Sequence, residues 1–172
     1  MLVWPARIDR AVGAILRPVV FAGVAALTAV ITLQIVSRVF FTSVGWTEEV
    51  ARFLLIWISF LGAALAFQQG RHISVSVLRS ALPDRARRVV TVLALLCSIA
   101  FLLALAKIGF DYMLVQSFQK SPSLRVSMTY IYAVMPISAA IAALLCLTDL
   151  AQVLAGEKPR DERDHPIEEG AA

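Results

Sequence analysis

Four long apolar runs separated by short polar segments dominate the sequence. They extend over Val19–Ser37, Phe53–Phe67, Val89–Ala106 and Tyr130–Leu147. At a rise of about 1.5 Å per residue, a helix over the first run covers the roughly 30 Å hydrocarbon core of a bilayer. The pattern therefore predicts an all-α protein with four transmembrane helices.

The second run is too short to cross a bilayer by itself. Its 15 residues would form a helix of only about 22 Å. A helix that begins at Thr47 instead has 21 residues and a length of about 31 Å. This earlier start places Glu48, Glu49 and Arg52 inside the helix, at the outer edge of the membrane.

The polar segments between and after the runs predict the rest of the architecture. Between the second and third spans, Ile73, Val77 and Ala81 recur at helical spacing and Pro83 acts as a stop, which predicts a short amphipathic helix on the cytoplasmic interface. Residues 156–172 are charged and contain two prolines, which predicts a disordered tail. We expect a single transmembrane domain over residues 1–155, with spans at about 19–37, 47–67, 89–106 and 130–150.

The distribution of basic residues predicts the orientation. With a cytoplasmic N-terminus, eleven of the sixteen lysines and arginines would lie in cytoplasmic segments. Basic residues accumulate on the cytoplasmic side of membrane proteins. We therefore expect both termini in the cytoplasm, with Arg71 and His72 at the cytoplasmic end of the second span.

Composition agrees with a membrane location. Hydrophobic residues make up 59% of the 172 residues and charged residues only 16%. The formal net charge is +4, but the basic residues lie between apolar runs and form no continuous basic face. Nucleic acid is therefore not an expected partner.

Candidate chemistry is sparse. Haem ligation by two histidines needs both at membrane depth, whereas His72 follows the second span and His165 lies in the tail. The first, third and fourth runs contain no charged side chain that could carry a coupling ion or proton. The sequence predicts no metal site, no cofactor and no catalytic constellation, so we do not expect an enzyme.

One face of the second helix combines charged and small side chains. At about 100° per residue, the residues within about 60° of Glu48 include the following: Arg52, Ser59, Gly62, Ala63 and Ala66. Small residues let helices approach closely in lipid, and charges at that depth seek protein partners. We call these six residues the Glu48 stripe and expect it to contact protein, while the opposite side around Trp57 meets lipid.

A simpler interpretation of the charged turn is also open. Glu48, Glu49 and Arg52 could form only an N-terminal cap and an i,i+4 pair in the headgroup layer, worth about 0.2–0.5 kcal/mol. That reading suits Glu49 best, because it lies about 100° away from Glu48. In the fourth run, Pro136 predicts a helix bend.

Together these residues resemble the small permease (DctQ-like) subunit of tripartite ATP-independent periplasmic (TRAP) transporters. The resemblance covers roughly residues 19–150. The matching elements are Arg38, Trp46-x-Glu48-Glu49-x-x-Arg52-Phe53, Trp57, Phe60-Leu61-Gly62-Ala63-Ala64, Gly70-Arg71-His72-Ile73, Ser121-Pro122-x-Leu124 and Tyr132-x-x-x-Pro136-Ile137.

The resemblance implies a multi-pass subunit of a secondary importer in the bacterial inner membrane. In such importers a periplasmic binding protein delivers an organic acid to a large, many-helix permease, which binds the substrate and sodium. The small subunit is expected to brace the large one, and this chain itself is expected to bind no cofactor. The expected partner interface consists of Arg38, Trp46, Glu48, Glu49, Arg52, Ser59, Gly62, Ala63 and Ala66.

The residues by themselves also allow a different class of function. A small membrane protein with one adhesive stripe could form homo-oligomers and act as an autonomous small transporter or channel. The sequence offers no means of identifying the substrate in either case.

Overall fold

The computed structural model describes residues 3–40, 45–69 and 84–155. All regular secondary structure within these ranges is helical, apart from one isolated bridge between Lys120 and Ser127. A 3₁₀ turn over Gln116–Phe118 follows the third helix. The helices are α1 (Val3–Phe40), α2 (Gly45–Gln68), α3 (Asp84–Val115), α4 (Met128–Tyr132) and α5 (Val134–Leu154).

The predicted all-α membrane architecture is confirmed. Four helical segments are long and apolar enough to cross a bilayer, namely Arg7–Phe40, Gly45–Gln68, Arg88–Phe118 and Met128–Leu154. The predicted amphipathic helix between the second and third spans, the Arg71–His72 pair and the predicted disordered tail all lie outside the described residues.

Two helices are much longer than the apolar runs that predicted them. α1 has 38 residues and begins at Val3, whereas the run begins at Val19. α3 has 32 residues and continues to Val115. An apolar run marks only the part of a helix that lies in hydrocarbon, and a helix can continue through the headgroup layer because its backbone hydrogen bonds are internal.

The N-terminal part of α1 is held against the end of α2. Gln68 Nε2 donates a hydrogen bond to the backbone oxygen of Asp9 at 3.0 Å. A Cβ atom on Gly13 would lie only 2.2 Å from Gln68 Nε2, so glycine is what lets this buried amide approach α1. Leu16, one turn further along, is also buried.

Helix α5 lies at the centre of the packing. α1 packs mainly against α2, α2 also packs against α5, and α5 packs most extensively against α3. One apolar cluster joins α3 to α5 through Ile99, Leu102, Ala142, Ala143 and Cys146. A second joins α1, α2 and α5 through Leu16, Leu61, Ala64 and Val134. The small residues of α5 allow both neighbouring helices to approach closely.

The fourth span is interrupted near the proline that predicted a bend. α4 ends at Tyr132 and α5 begins at Val134, and Ala133 between them keeps right-handed helical dihedrals (φ −57°, ψ −25°) while the regular helical hydrogen bonding is interrupted. Proline has no N–H to donate and its ring crowds the carbonyl four residues earlier, which here belongs to Tyr132. The interruption therefore lies one turn before Pro136, where that physical constraint acts.

The same proline is packed against a glycine of α3. A Cβ atom on Gly109 would lie 3.1 Å from Met135 Cβ and 3.3 Å from both Pro136 Cδ and Pro136 N. These neighbours are a Cβ atom, a proline ring atom and a backbone atom, none of which can move aside as the far end of a flexible side chain can. Gly109 therefore sets the distance between α3 and the start of α5.

We expect Gly109→Ala to lower the free energy of unfolding by about 1–2 kcal/mol, because the added methyl group overpacks this contact. Gly62→Ala is the matched control, since no atom lies within 4 Å of a Cβ at that position. The control should leave stability unchanged or raise it by up to about 1 kcal/mol through helix propensity. Unfolding by sodium dodecyl sulfate in mixed micelles, followed by circular dichroism, would measure both. Equal stabilities for the two variants would contradict the prediction.

Candidate subunit interface

The first turns of α2 present an exposed ion pair. Glu48 Oε1 and Arg52 Nη2 lie 3.4 Å apart, one helical turn from each other. The side chains are 66% and 64% exposed respectively. An exposed pair of this kind adds little to stability, so both groups are free to contact another molecule.

The Glu48 stripe as a whole lies on the open side of α2. Glu48, Arg52, Ser59, Ala63 and Ala66 are exposed, and Gly62 is half-buried. The buried residues of the helix are Thr47, Leu61, Ala64 and Gln68. At about 100° per residue these four lie between about 160° and 260° from Glu48, on the opposite face. The helices within residues 3–40, 45–69 and 84–155 therefore do not cover the stripe.

The expectation that the Trp57 side meets lipid is wrong for part of that face. Trp57 is 36% exposed, but its neighbour Leu61 is only 7% exposed and Phe60 packs against the cluster that contains it. The physical reason is that α1 and α5 both pack on this side. Bulky side chains on α2 thus serve the internal packing of the chain.

Two other predicted interface residues lie at the same end of the molecule as the charged turn. Arg38 is exposed in the last turn of α1, and Trp46 is 42% exposed in the first turn of α2. α1 and α2 run antiparallel, because Gly13 approaches Gln68 and Gly23 approaches Ile58. The end of α1 is therefore next to the start of α2.

Glu49 has a different environment from Glu48. Its carboxylate accepts hydrogen bonds from the Ser121 hydroxyl, from Ser123 N at 2.8 Å and from Leu124 N at 3.1 Å. Ser121 is almost fully buried, with 2% of its surface exposed. Glu49 therefore fastens the loop between α3 and α4 to the first turn of α2.

The loop that Glu49 holds has a defined internal structure. Ser121 N donates to Val126 O at 2.9 Å, and Met128 N donates to Gln119 O at 3.0 Å. Arg125 adopts a positive φ of 54°, which lets the chain reverse within the segment that the Ser121–Val126 bond closes. Ser127 then caps α4 by accepting from Thr129 N. The loop is a closed turn anchored at both ends.

Helix α2 and the loop together enclose a cleft of about 220 Å³. Its lining combines the exposed ion pair with apolar side chains, and consists of Gly45, Glu48, Glu49, Arg52, Phe53, Pro122 and Met128. The cleft lies at the end of the molecule where α2 begins. The structure thus joins the charged turn and the Ser121-Pro122-x-Leu124 motif into one surface.

Sequence reasoning did not find the contact between Glu49 and the loop. The two segments are more than 70 residues apart, and spacing along a chain carries no signal for such a pairing. The sequence offers only a chemical signal for this contact. An acidic residue at a helix start can accept hydrogen bonds, and a Ser-Pro turn has backbone N–H groups that can donate them. The sequence predicts Glu49 as a contact with the partner subunit, whereas the hydrogen bonds that the structure shows for its carboxylate are within the chain.

Comparison with known proteins identifies the class to which this multi-pass membrane protein belongs. A family model described as the DctQ component of tripartite ATP-independent periplasmic transporters matches residues 27–156. The match covers most of the chain and includes the α2 turn, the loop and α5. The chain belongs to this family of TRAP transporter small permeases, which places it in the bacterial inner membrane.

Individual relatives agree with the family. The chain is 29% identical over 144 residues, 78% of its length, to the isethionate TRAP transporter permease protein DctMQ of Oleidesulfovibrio alaskensis. It is 45% identical over 60 residues (34% of the chain) to a putative TRAP transporter small permease protein of Haemophilus influenzae. It is 36% identical over 64 residues (37% of the chain) to the sialic acid TRAP transporter small permease protein SiaQ of Vibrio cholerae. The aligned regions span 23%, 37% and 37% of these relatives respectively.

We expect Glu49→Gln to release the loop. Both carboxylate oxygens of Glu49 accept hydrogen bonds from the loop, and in glutamine one of them is replaced by an NH₂ group, which cannot accept from these donors. Backbone amides of Ser123 and Leu124 should then exchange with deuterium faster than in the parent chain. Hydrogen–deuterium exchange with mass spectrometry of peptides covering residues 119–128 would measure this.

Glu48→Gln is the control for that experiment. It removes the same charge one residue away, from a side chain whose ion-pair partner is on its own helix. Its loop amides should exchange at the parent rate. Unchanged exchange in Glu49→Gln, or equal acceleration in both variants, would contradict the role assigned to Glu49.

Proposed function

We propose that this chain is the small membrane subunit that scaffolds a large permease subunit during sodium-coupled import of an organic acid. A periplasmic binding protein delivers the substrate, and the large subunit carries the substrate and sodium sites. The chain itself performs no catalysis and binds no cofactor. Membership of a family that forms one component of a tripartite transporter supports this division of labour.

The exposed Glu48 stripe is the observation that carries the proposal. It lies opposite the buried face of α2, so it is free for a second polypeptide. Charged and small side chains at the membrane edge favour contact with protein over contact with lipid. A helix that packs inside the chain on one face and displays such a stripe on the other is suited to bracing a neighbour.

The buried polar residues also fit a scaffold better than a carrier. Among the described residues, the buried polar side chains belong to threonine, serine and glutamine. Transport sites within membranes generally use ionisable groups or exposed backbone carbonyls. Placing the coupling-ion site on the partner subunit is consistent with that chemistry.

The relatives support the proposed class of substrate and the proposed partner. Isethionate and sialic acid, which appear in the names of two relatives, are both organic acids. The Oleidesulfovibrio relative is a longer permease protein in which the aligned region is 23% of the whole. A chain of this kind can therefore be joined to a larger permease region.

The scaffold role predicts that transport requires both membrane subunits. Proteoliposomes that contain the large permease encoded beside this chain, together with its binding protein and a sodium gradient, should import substrate only when this chain is present. Uptake of radiolabelled organic acid would be measured with and without it. Full uptake in its absence would refute the scaffold role, and uptake by this chain alone would support an autonomous transporter instead.

The stripe predicts unequal effects of substitutions on assembly. Glu48→Ala and Arg52→Ala should each lower recovery of the complex by roughly threefold, as expected for loss of one polar contact between membrane helices. Trp57→Leu, on the side of α2 away from the stripe, is the control and should have a smaller effect. Affinity purification through a tag on the large subunit would measure recovery. Equal losses for all three variants would contradict the assigned interface.

A further inference from the structure

The N-terminal part of α1 extends past the end of α2. Gly13 approaches Gln68 and Gly23 approaches Ile58, so the same antiparallel register holds over ten residues of each helix. In this register Arg17 lies level with Ala64, about 6 Å inside the end of α2. Arg10 lies about 4.5 Å beyond that end and Arg7 about 9 Å beyond it.

These three arginines share one exposed side of α1. At about 100° per residue, Arg10 and Arg17 lie about 60° and 80° from Arg7 on the same side. All three side chains are exposed. We call them the arginine ridge. The opposite side of the helix, with Leu16 and the backbone oxygen of Asp9, faces α2.

The contacts with α2 fix the direction in which the arginine ridge points. The hydrogen bond from Gln68 to Asp9 and the close approach at Gly13 prevent α1 from rotating about its axis. Packing within the chain therefore sets the side of α1 on which the ridge lies.

No carboxylate neutralises the arginine ridge within residues 3–40, 45–69 and 84–155. Among these residues, the carboxylate that forms an ion pair is Glu48, and its partner is Arg52 on the same helix, α2. Asp9, the acidic residue nearest in sequence, lies about 200° from Arg7 on the α2 side and has a polar interaction of its own. Three like charges thus face the membrane surface without a counter-charge from this part of the chain.

The spacing of the three residues along α1, about 15 Å from Arg7 to Arg17, suits contact with one headgroup layer. Long arginine stems let a guanidinium reach several ångströms along the helix towards the interface. Arg17 can therefore extend outwards from the hydrocarbon edge while Arg7 and Arg10 extend from the aqueous side. All three guanidinium groups can meet one layer of phosphates, for which arginine is a bidentate donor.

We propose that the arginine ridge binds the headgroup of an anionic phospholipid. The occupant is a lipid with a net negative charge, such as phosphatidylglycerol, because three cations without a counter-charge among the described residues favour it over a zwitterionic headgroup. This inference goes beyond the scaffold role and does not depend on it. Bound lipid would hold the N-terminal part of α1 at the membrane surface.

Native mass spectrometry of the full chain tests the proposal. The chain is equilibrated in mixed micelles with equal amounts of phosphatidylglycerol and phosphatidylcholine, and the lipids retained on it are counted. The parent chain should retain phosphatidylglycerol preferentially. The triple variant R7Q/R10Q/R17Q should lose that preference, by roughly fivefold for each arginine replaced. The variant R7K/R10K/R17K keeps the charges and should retain most of it.

The matched control removes three positive charges at the other end of the molecule, through Lys107→Gln, Lys120→Gln and Arg125→Gln. These side chains are also exposed. Phosphatidylglycerol binding should persist in this control. Equal losses in the two triple variants would show a general effect of net charge and overturn the site, as would a parent chain without lipid preference.

Circular dichroism establishes that each variant is folded. If R7Q/R10Q/R17Q cannot be purified, the single variant Arg7→Gln is tested instead. Arg7 lies beyond the end of α2, so its replacement should not disturb the packing between α1 and α2. The expected result is then a roughly fivefold weaker preference for phosphatidylglycerol. An unchanged preference in Arg7→Gln would count against the arginine ridge.

Discussion

Close packing of α5 between α2 and α3 is the constraint on which the rest of the structure depends. In lipid there is no hydrophobic force to press helices together, so association relies on close contact of their surfaces. α5 provides this contact through small buried residues such as Ala139, Ala142 and Ala143. Gly109 of α3 has no side chain, which leaves space for Pro136 to pack against α3.

This central position of α5 explains why the other helices have free faces. In the fourth span, half of the most apolar stretch is buried inside the chain. In the first span, none of the most apolar stretch is buried. α1 and α3 accordingly expose many large apolar side chains, among them Phe21, Phe101 and Ile108. A chain whose helices are only partly covered by one another is well suited to contact both lipid and a second membrane protein.

Glu48 and Glu49 are adjacent at the start of α2 but have different roles, one in an exposed ion pair and one in holding a loop. Glu48 points to the open side, where its contact with Arg52 is exposed. Glu49 is rotated by about 100° and reaches the Ser121–Leu124 turn instead. The internal contact positions the loop beside the exposed pair, so the shape of the cleft depends on a residue whose own hydrogen bonds are made within the chain.

The sequence by itself determined the number of spanning helices, the place of Glu48, Glu49 and Arg52 within the second helix, and the family. These features follow from local patterns: length of apolar runs, helical periodicity and short motifs. It did not determine the ends of α1 and α3, because helical hydrogen bonds continue outside hydrocarbon. Only the tertiary structure decided that Leu61 is buried, that Glu49 binds the loop and that α5 is central. Each of these depends on contacts between residues far apart in the chain, for which spacing along the sequence carries no physical signal.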